Sequence, residues 1–561
     1  MSKGPDTVAD TYLRALSDQG VQWLFCNAGT DFPPLIEAFE RGAGPMPLPV
    51  LVPHENVAVA MAYGAAAVTG RPQVVMVHVG LGTANALCGL MNASRQRIPL
   101  ILTAGRTPVL EGGRFGARNN YINWAQEMFD QAGMLREFVK WDYELRDPAQ
   151  VEAVVNRAFS LVESSPPGPA YLVLPREVLS APALPPALPV RQSRPAKAAR
   201  PDAEALRQVA ECLARAKRPL IVTADAGRDA KAFWALDQFA ETWSIPVVQY
   251  RPRHASLRTG NPMFCGFDPA PLMTDADCLI VLECDVPWLP DQNEPPVSCQ
   301  VVQVGEDPLC SAYPMRSFAS DLTMQCDAAA FLTELDTALR QSGGLDPQLQ
   351  AQRQQRVRTF QSERRPPPAV EGLNHRYVSK VLAEYFDEDT VLINEYPFAL
   401  EELTVTRPGH FFTLSQAGGL GWGLGMALGV KLASPESFVV AALGDGCYMF
   451  GNPTPAHFVA RSMNLPFLTV IFNNRRWAAV HRATLSMYPD GRAAHSTQPV
   501  LSSLEPAPDY EQVVTASGGF AARVERVDQL RDVLRQAVEA VRQGRQAVVN
   551  VLTDADYVRT S

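Results

Sequence analysis

The sequence predicts an α/β protein made of three doubly wound parallel-sheet domains. Short runs rich in Val, Ile and Leu alternate with amphipathic stretches along the whole chain, as strands joined by helices do. The runs are almost continuously apolar, which is typical of parallel strands covered on both faces. Two polar, proline-containing stretches, 181–201 and 341–370, separate segments of comparable size and have the composition of surface linkers.

The predicted domains span residues 1–185, 200–342 and 370–561. Helical spacing of apolar residues predicts a first helix over Thr7–Gln19, which Gly20 ends. The linker 341–370 is basic and broken by proline, so at most one short exposed helix is expected there. Buried strands are predicted at 21–26, 72–79, 99–104, 170–175, 218–224, 245–250, 277–283, 299–305, 390–394, 437–443, 467–473 and 547–553.

Composition excludes several classes of protein. The chain has 561 residues, of which 47% are hydrophobic and 19% charged, and its net charge is −9. That hydrophobic content describes a folded chain, and the negative charge argues against binding to nucleic acid or to an anionic membrane. No apolar run approaches the roughly 20 residues of a membrane helix, and residues 1–6 lack an apolar signal core. The ten cysteines form no CxxC pair, so we expect reduced thiols in a cytoplasmic protein.

Two polar motifs follow neighbouring apolar runs of the third domain. GDG at 444–446 ends one run, and NN at 473–474 ends the next. A lone GDG is also typical of a tight turn, but the carboxyl ends of parallel strands are where open α/β sheets bind ligands. Carboxylate and amide oxygens delivered there suit Mg²⁺ or Ca²⁺ bridging phosphates. Asp445 and Asn474 are therefore candidate metal ligands.

GDG followed by NN resembles the thiamine-diphosphate motif of the decarboxylase and acetohydroxyacid-synthase superfamily. The resemblance implies that Asp445, Asn474 and the main-chain carbonyl of Arg476 hold Mg²⁺. The spacer between the motifs is longer than is usual in that family, and Cys447 stands where serine is common. The other residues that the resemblance places against the diphosphate are Gly444, Gly446, Cys447, Tyr448 and Asn474.

The glycine-rich stretch 415–433 begins as a loop and continues as a predicted helix. Its glycines do not have the GxGxxG spacing of a dinucleotide site, so a nicotinamide or flavin fingerprint is not indicated. The resemblance implies that Leu420 wedges between the two cofactor rings and that the Gly418 and Gly419 main chain contacts the aminopyrimidine. The loop after the run 390–394 adds two implied cofactor-binding residues, Tyr396 and Pro397.

Glu55 lies in PHEN, at the start of an alanine-rich predicted helix. Taken alone, a glutamate there simply complements the helix dipole. Thiamine chemistry, however, needs a carboxyl group to hydrogen-bond the aminopyrimidine, and an apolar site favours proton sharing at neutral pH. In combination with GDG and NN, the resemblance implies that Glu55 is the activating carboxylate.

Three further residues are candidates to face the substrate. His78 aligns with the active-site histidine of benzoylformate decarboxylases, although capping a strand end would also explain it. A histidine titrates close to pH 7 and can protonate a carbanion. Thr30, in CNAGTDFPPLIEAF, stands where those enzymes carry serine, and Gln126, in WAQEMF, resembles the FQE segment of acetohydroxyacid synthases.

The middle segment resembles the central domain of the same superfamily, which holds FAD or ADP in several relatives. The glycine-rich elements expected there are eroded: ADAGRDA follows the first strand, and ECDVPW stands where a glycine usually ends the third. We therefore expect no FAD. A second histidine of benzoylformate decarboxylases aligns near Asn261, with His254 close but offset, so that role is unfilled.

The resemblance implies a 2-keto acid decarboxylase (a lyase) that works through an enamine intermediate. An alternative is an acetolactate-synthase-like carboligase (a transferase), in which the enamine attacks a second carbonyl; a catalytically silent paralogue is a third reading. Val480 and Ala483 align with substrate-pocket positions, and both are small enough to leave room for a bulky acyl group. The family also implies a homodimer or homotetramer with sites at the subunit interface.

Overall fold

The computed structural model describes residues 6–42, 44–186, 191–364, 372–496 and 498–554. Their strands form three parallel sheets with helices, as predicted. The strands are β1 (Trp23–Cys26), β2 (Leu48–Leu51), β3 (Gln73–Val77), β4 (Leu100–Arg106), β5 (Asp142–Glu144), β6 (Ala170–Pro175), β7 (Pro219–Thr223), β8 (Val247–Gln249), β9 (Cys278–Leu282), β10 (Gln300–Gly305), β11 (Leu322–Gln325), β12 (Thr390–Glu395), β13 (Phe411–Thr413), β14 (Phe438–Gly444), β15 (Leu468–Asn473), β16 (Phe520–Val524) and β17 (Ala547–Leu552).

Helices connect these strands. They are α1 (Val8–Asp18), α2 (Pro33–Arg41), α3 (Glu55–Thr69), α4 (Val79–Arg95), α5 (Ile122–Ala125), α6 (Val151–Glu163), α7 (Arg176–Leu179), α8 (Ala203–Arg215), α9 (Ala230–Trp243), α10 (Ala270–Met273), α11 (Ala328–Gln341), α12 (Pro347–Glu363), α13 (His375–Ala383), α14 (Trp422–Ala433), α15 (Asp445–Phe450), α16 (Pro453–Ser462), α17 (Ala478–Met487) and α18 (Val527–Arg542). No helix of the described ranges is long and apolar enough to cross a membrane.

The described chain divides into two units. The first contains residues up to 197 together with 414–524 and 532–551, and the second contains 198–413, 525–531 and the residues from 552 onwards. The first unit therefore includes both the segment with Glu55 and the segment with the GDG and NN motifs.

The first sheet, in the first unit, has the order β2-β1-β3-β4-β6-β5. From β1 the chain moves to β2 on one side and then crosses to β3 on the other. The strand order thus reverses between β1 and β3, which pair in parallel with Leu24 opposite Val74. Ligands of open α/β sheets bind at such a switch point, outside the carboxyl ends of the strands. The loops after β1 and β3 are therefore the first places to look for a site.

The second sheet belongs to the second unit and has the order β11-β10-β9-β7-β8. The third sheet has six strands. Of these, β12 and β13 pair in parallel in the second unit, whereas β14 and β15 pair in parallel in the first unit. Also in the first unit, β16 pairs in parallel with β17.

The expectation of a short exposed helix in the linker 341–370 is wrong for its described part. α12 is a helix of 17 residues that Asp346 caps, accepting hydrogen bonds from two backbone N–H groups. Its Arg353 is buried, and its guanidinium donates to main-chain carbonyls at the ends of α8 and α9. Polar composition concealed this docking because polar side chains make much of it: besides Arg353, Gln350 donates to the Thr242 carbonyl, and Val357 adds a buried apolar contact. Residues 365–370 of that linker, and 187–190 of the linker 181–201, lie outside the described residues.

Candidate active site

Asp445 and Asn474 follow adjacent parallel strands, as predicted. β14 and β15 pair with Gly444 opposite Phe472, so the next residues of both strands leave the same edge of the sheet. Asp445 is the first residue of α15 and is buried. Within the described residues its Oδ2 atom is buried without a hydrogen-bond partner. An unpartnered buried carboxylate oxygen is what a cation site requires.

The turn after β15 brings the third predicted ligand beside Asn474. The Arg475 N–H donates to Asn473 Oδ1 at 3.1 Å, and the Arg476 N–H donates to Asn474 Oδ1 at 3.2 Å. Arg475 has φ 58°, so the turn is tight and left-handed. Two asparagine side chains therefore shape the loop that carries the Arg476 carbonyl.

The electrostatics of Asp445 suit a bound cation. Burial raises the pKa of its carboxyl to about 7, although backbone N–H groups of Gly446, Arg475 and Arg476 lower it. A divalent cation would compensate the buried charge. Within the described ranges, no group of three or more His, Cys, Asp or Glu side chains is arranged to hold a metal ion. The set here is instead one carboxylate, one amide and one carbonyl, the hard oxygen donors that Mg²⁺ accepts.

The other residues of the GDG segment differ in their burial and in the space around them. A Cβ atom on Gly446 would lie 2.4 Å from the Trp477 ring, so only glycine fits there. Gly444 precedes α15 in an extended conformation, and Cys447 is buried within the helix. The Tyr448 hydroxyl is fully buried and bonded to His457 Nε2 at 2.8 Å. The Tyr448 side chain is therefore not available to a diphosphate, and this residue can contact one only through its main chain.

Glu55 begins α3, as predicted, and its side chain is held in place. The residue is 8% exposed, and its Oε2 accepts a hydrogen bond of 2.5 Å from Asn85 Nδ2. A Cβ atom on Gly82 would lie 3.1 Å from Glu55 Oε1, so this glycine keeps space beside the carboxylate. Asn85 and Gly82 both belong to α4, which therefore positions the predicted activating group.

The same helix reaches the glycine turn of the C-terminal segment. Asn92, two helical turns beyond Asn85, donates from Nδ2 to the Gly419 carbonyl at 2.8 Å and accepts from the Gly419 N–H at 3.0 Å. Seven residues of α-helix rise about 10 Å, so Asn85 and Asn92 lie about that far apart along α4. Because a carbonyl oxygen has two lone pairs, Gly419 can accept a second hydrogen bond from a ligand.

The glycine turn is closely packed where it enters α14. Gly418 has φ 68° and Gly421 has φ 78°, and a Cβ atom on Gly421 would lie 2.6 Å from the Gly451 Cα. Leu420 stands between them and is only partly buried. It is thus not an ordinary core leucine, and its predicted place between the cofactor rings stays a prediction.

His78 and Gln126, two of the predicted catalytic residues, are in contact. The His78 Nε2 and the Gln126 Nε2 are 3.2 Å apart. On the other side of the ring, His78 Nδ1 is 2.6 Å from Asp31 Oδ1. Hydrogen bonding to Asp31 raises the pKa of His78 above its usual value, burial lowers it, and the charge of Glu55 adds to the increase. His78 directly precedes α4, but its side chain makes no capping hydrogen bond to that helix.

The remaining predicted residues are less enclosed. Thr30 is exposed, and its carbonyl accepts a hydrogen bond from Arg176 at 3.3 Å. Val480 and Ala483 are exposed on α17, where they can border an open pocket. Tyr396 and Pro397 belong to the second unit and directly follow β12; Tyr396 has φ 85°. The roles of these residues stay predictions.

Sequence reasoning missed three residues that organise the site: Asp31, Asn85 and Asn92. Asn85 and Asn92 are seven residues apart on α4, and that spacing of two amides on one helix face was a usable signal. Asp31 follows β1 as His78 follows β3, and the two strands are neighbours. The order of the strands, which the sequence does not state, was needed to bring that pair together.

The carboxyl ends of the second sheet carry a network of charges. Asp225 follows β7, and its Oδ1 is 2.5 Å from His254 Nδ1. Arg253 donates to Asp285 at 2.9 Å. Asn261 is buried, donating to the Asp237 carbonyl at 2.8 Å, so it supports the fold of this unit. The expectation that no FAD binds here stays a prediction.

Comparison with known proteins establishes the family. Family models match the N-terminal TPP binding domain at residues 6–134, the central domain at 206–335 and the C-terminal TPP binding domain at 396–551 of thiamine pyrophosphate enzymes. The chain therefore belongs to the thiamine pyrophosphate enzymes. It carries all three of the domains that the family models describe.

Relatives within the family differ in the reaction for which they are named. The chain is 25% identical to the acetolactate synthase isozyme 3 large subunit of Escherichia coli (strain K12), over 97% of this chain and 94% of that protein. It is 26% identical to benzoylformate decarboxylase of Pseudomonas aeruginosa, over 84% and 87%. The crystal structure of benzoylformate decarboxylase from Polynucleobacter necessarius has the same fold, with a TM-score of 0.80, 22% identity and coverage of 98% of this chain and 99% of that chain.

Proposed function

We propose that the protein is a thiamine-diphosphate- and Mg²⁺-dependent decarboxylase of a 2-keto acid, which releases the corresponding aldehyde. The observation that carries this proposal is the arrangement of α4. Its amides hold Glu55 at one point and the Gly419 main chain at another. His78, a group able to hold a proton, immediately precedes the same helix.

Different residues would hold different parts of the cofactor. Asp445, Asn474 and the Arg476 carbonyl would hold the metal and, through it, the diphosphate. Glu55 and the Gly419 carbonyl would hold the pyrimidine. When bound, thiamine diphosphate supplies the electron sink that lets a 2-keto acid lose CO₂.

His78 favours release of an aldehyde over joining of two carbonyl compounds. Release needs a proton donor beside the substrate carbon, and a raised pKa keeps a larger share of His78 protonated near neutral pH. The half-buried ring also limits access of water to the reacting atoms. His78 is thus the proposed proton donor, and Gln126 is a polar group beside it.

The second candidate is an acetolactate-synthase-like carboligase. Gln126 favours it, because this residue lies in the segment that resembles those enzymes, and the relatives of this chain include acetolactate synthases. In that case the exposed Val480 and Ala483 would border the space for a second carbonyl compound. A catalytically silent protein is disfavoured because Glu55, Asp445 and Asn474 are all present.

The deciding experiment separates CO₂ from the organic product. Purified protein with thiamine diphosphate and Mg²⁺ is given pyruvate, benzoylformate and branched 2-keto acids, and CO₂, aldehyde and ligated product are measured separately. A decarboxylase gives one aldehyde for each CO₂. Ligated product equal in amount to the CO₂, with little aldehyde, would establish the carboligase instead, and no CO₂ from any acid would contradict both.

A further inference from the structure

Asp31 is a buried carboxylate, and both of its oxygens contact residues at the start of α4. It is 4% exposed. Its Oδ1 lies 2.6 Å from His78 Nδ1, and its Oδ2 accepts a hydrogen bond of 3.2 Å from the Val79 N–H. One carboxylate therefore fixes both the ring of His78 and the backbone that carries it.

The surroundings leave room for this pair only because two glycines adjoin it. A Cβ atom on Gly29 would lie 2.2 Å from His78 Nδ1, and one on Gly105 would lie 1.9 Å from Asp31 Oδ2. Either distance is far inside van der Waals contact, so alanine at Gly29 or Gly105 would displace the ring or the carboxylate. Both side chains thus pack directly against bare main chain.

The backbone at Val79 is strained. Its φ is 25°, a value that β-branched residues rarely adopt. Strain of this kind persists only where the surroundings hold it. The hydrogen bond from the Val79 N–H to Asp31 is one such restraint, and the strained conformation aims the preceding His78 at the same carboxylate.

The contacts of the His78 ring distinguish its two nitrogens. A carboxylate can only accept, so Nδ1 must carry the hydrogen that lies between it and Asp31. In the neutral ring Nε2 is then the acceptor, and it faces the amide of Gln126. An amide can donate through nitrogen to a neutral ring and, after turning over, accept through oxygen from a protonated one.

We propose that Asp31 is a positioning residue that keeps the Nδ1 hydrogen of His78 in place, so that Nε2 beside Gln126 is the nitrogen that gains and loses the reaction proton. The part of this inference that concerns proton transfer during the reaction rests on the proposed function. The position of the hydrogen on Nδ1 is a property of the protein and does not depend on that function. The charges that act on the ring are those of Asp31 and Glu55, while Gln126 is neutral.

The first test measures the ring directly in the holoenzyme. Histidine labelled with ¹⁵N and ¹³C is followed by NMR from pH 5 to 9, and the His78 signal among the eight histidines is assigned by its loss in His78→Gln. We expect the neutral ring to carry its hydrogen on Nδ1. A neutral ring with hydrogen on Nε2 in the unmodified protein would overturn the proposal, whether or not any variant folds.

The second test removes the charge of Asp31. In Asp31→Asn the titration midpoint of His78 should fall by about one pH unit or more, the effect expected of a carboxylate at this distance. Asp528→Asn makes the same change at an exposed position, where Asp528 pairs with Arg526, and should leave the midpoint unmoved. An unchanged midpoint in folded Asp31→Asn would overturn the role of Asp31.

The pH profile of kcat separates this inference from the proposed function. A proton donor is active below its pKa, so activity is lost as pH rises through that value, and in Asp31→Asn the loss should occur at lower pH. If the NMR midpoint moves but the kcat profile does not, Asp31 still positions the ring, and His78 is not the proton donor of the reaction. If both move together, both assignments are supported.

Discussion

At the scale of single residues, Glu55 is the most direct test of the chemistry. Glu55→Gln keeps the size of the side chain and can still contact Asn85, but it cannot share a proton. We expect the variant to bind thiamine diphosphate with little change in affinity and to lose turnover by about 10²-fold or more, the usual effect of removing an acid–base group. Binding is measured by titration calorimetry and turnover by CO₂ release.

Asn85→Ala is a useful companion to this variant. It removes the hydrogen bond to Glu55 without removing the carboxyl group, so turnover should fall by less than in Glu55→Gln. Near-normal turnover of Glu55→Gln itself would exclude the assignment of Glu55 as the activating carboxylate.

Asp445 tests the metal. Asp445→Ala removes the buried carboxylate whose Oδ2 has no hydrogen-bond partner among the described residues, and with it the anionic ligand of the proposed site. Because the diphosphate charge would then be poorly compensated, we expect cofactor affinity to fall by about 100-fold or more. The measurement is titration of chelator-treated protein with thiamine diphosphate at several Mg²⁺ concentrations.

The metal assignment has a specific control. Asp528→Asn, at an exposed site, should retain the Mg²⁺ dependence of cofactor binding. An affinity of Asp445→Ala that equals that of the unaltered protein, at every Mg²⁺ concentration, would show that the metal is held elsewhere.

At the scale of residues, a site residue could be predicted from the sequence only where a local motif marks its position. Asp445 and Asn474 could be placed because each ends an apolar run, and strand ends meet at one edge of a parallel sheet. Asp31 could not be paired with His78, because the two are 47 positions apart and become neighbours only through the order of β1 and β3. Such pairing depends on topology, which local periodicity does not encode.

At the scale of elements, the central strands were predictable, whereas all of the edge strands except β8 were not. Every buried run with continuous Val, Ile or Leu became a strand, as in β6 and β15. The strands without a prediction, β2, β5, β11, β13 and β16, all lie at sheet edges. An edge strand is covered on fewer sides and so needs fewer apolar residues, which leaves little signal in the sequence.

At the scale of elements, the hydrogen bonds that Arg353 makes from α12 to two other helices can be tested. Arg353 is 2% exposed and donates to the carbonyls of Ala216, at 2.6 Å, and Trp243, at 3.1 Å. Burial lowers the pKa of Arg353 to about 10, so it still carries its charge at neutral pH. The guanidinium thus satisfies carbonyls at the ends of α8 and α9 that the helices cannot satisfy themselves.

Arg353→Ala should destabilise the second unit by about 3 kcal/mol, because it removes charge-assisted hydrogen bonds and leaves buried carbonyls without partners. Hydrogen exchange followed by mass spectrometry should show faster exchange at the ends of α8 and α9, and the melting temperature should fall. Arg358→Ala, on the exposed side of the same helix, is the matched control. Equal effects of the two substitutions would mean that the docking of Arg353 does not stabilise the unit.

At the scale of the whole molecule, the location of the site relative to the subunits is open to a direct test. In the first unit, α3 packs against α14, so the Glu55 segment and the glycine turn of one chain are in contact. Large apolar residues nevertheless remain exposed in this unit, among them Leu81 at 59% and Val480 at 49%. A second copy would cover such residues and shield the reacting atoms from water.

We therefore propose a homodimer, or a pair of dimers, in which the same two segments meet across the interface, since exchange of equivalent segments between identical chains preserves their contacts.

Glu55→Gln and Asp445→Ala are each expected to be inactive, and the two are mixed under conditions that allow subunits to exchange. If each site combines Glu55 of one chain with Asp445 of its partner, a mixed dimer contains one intact site and one doubly altered site, and activity should return to up to half of the normal value per mixed dimer. Native mass spectrometry measures the fraction of mixed dimers. Absence of activity despite abundant mixed dimers would place each complete site within a single chain, because every site would then retain one of the two substitutions.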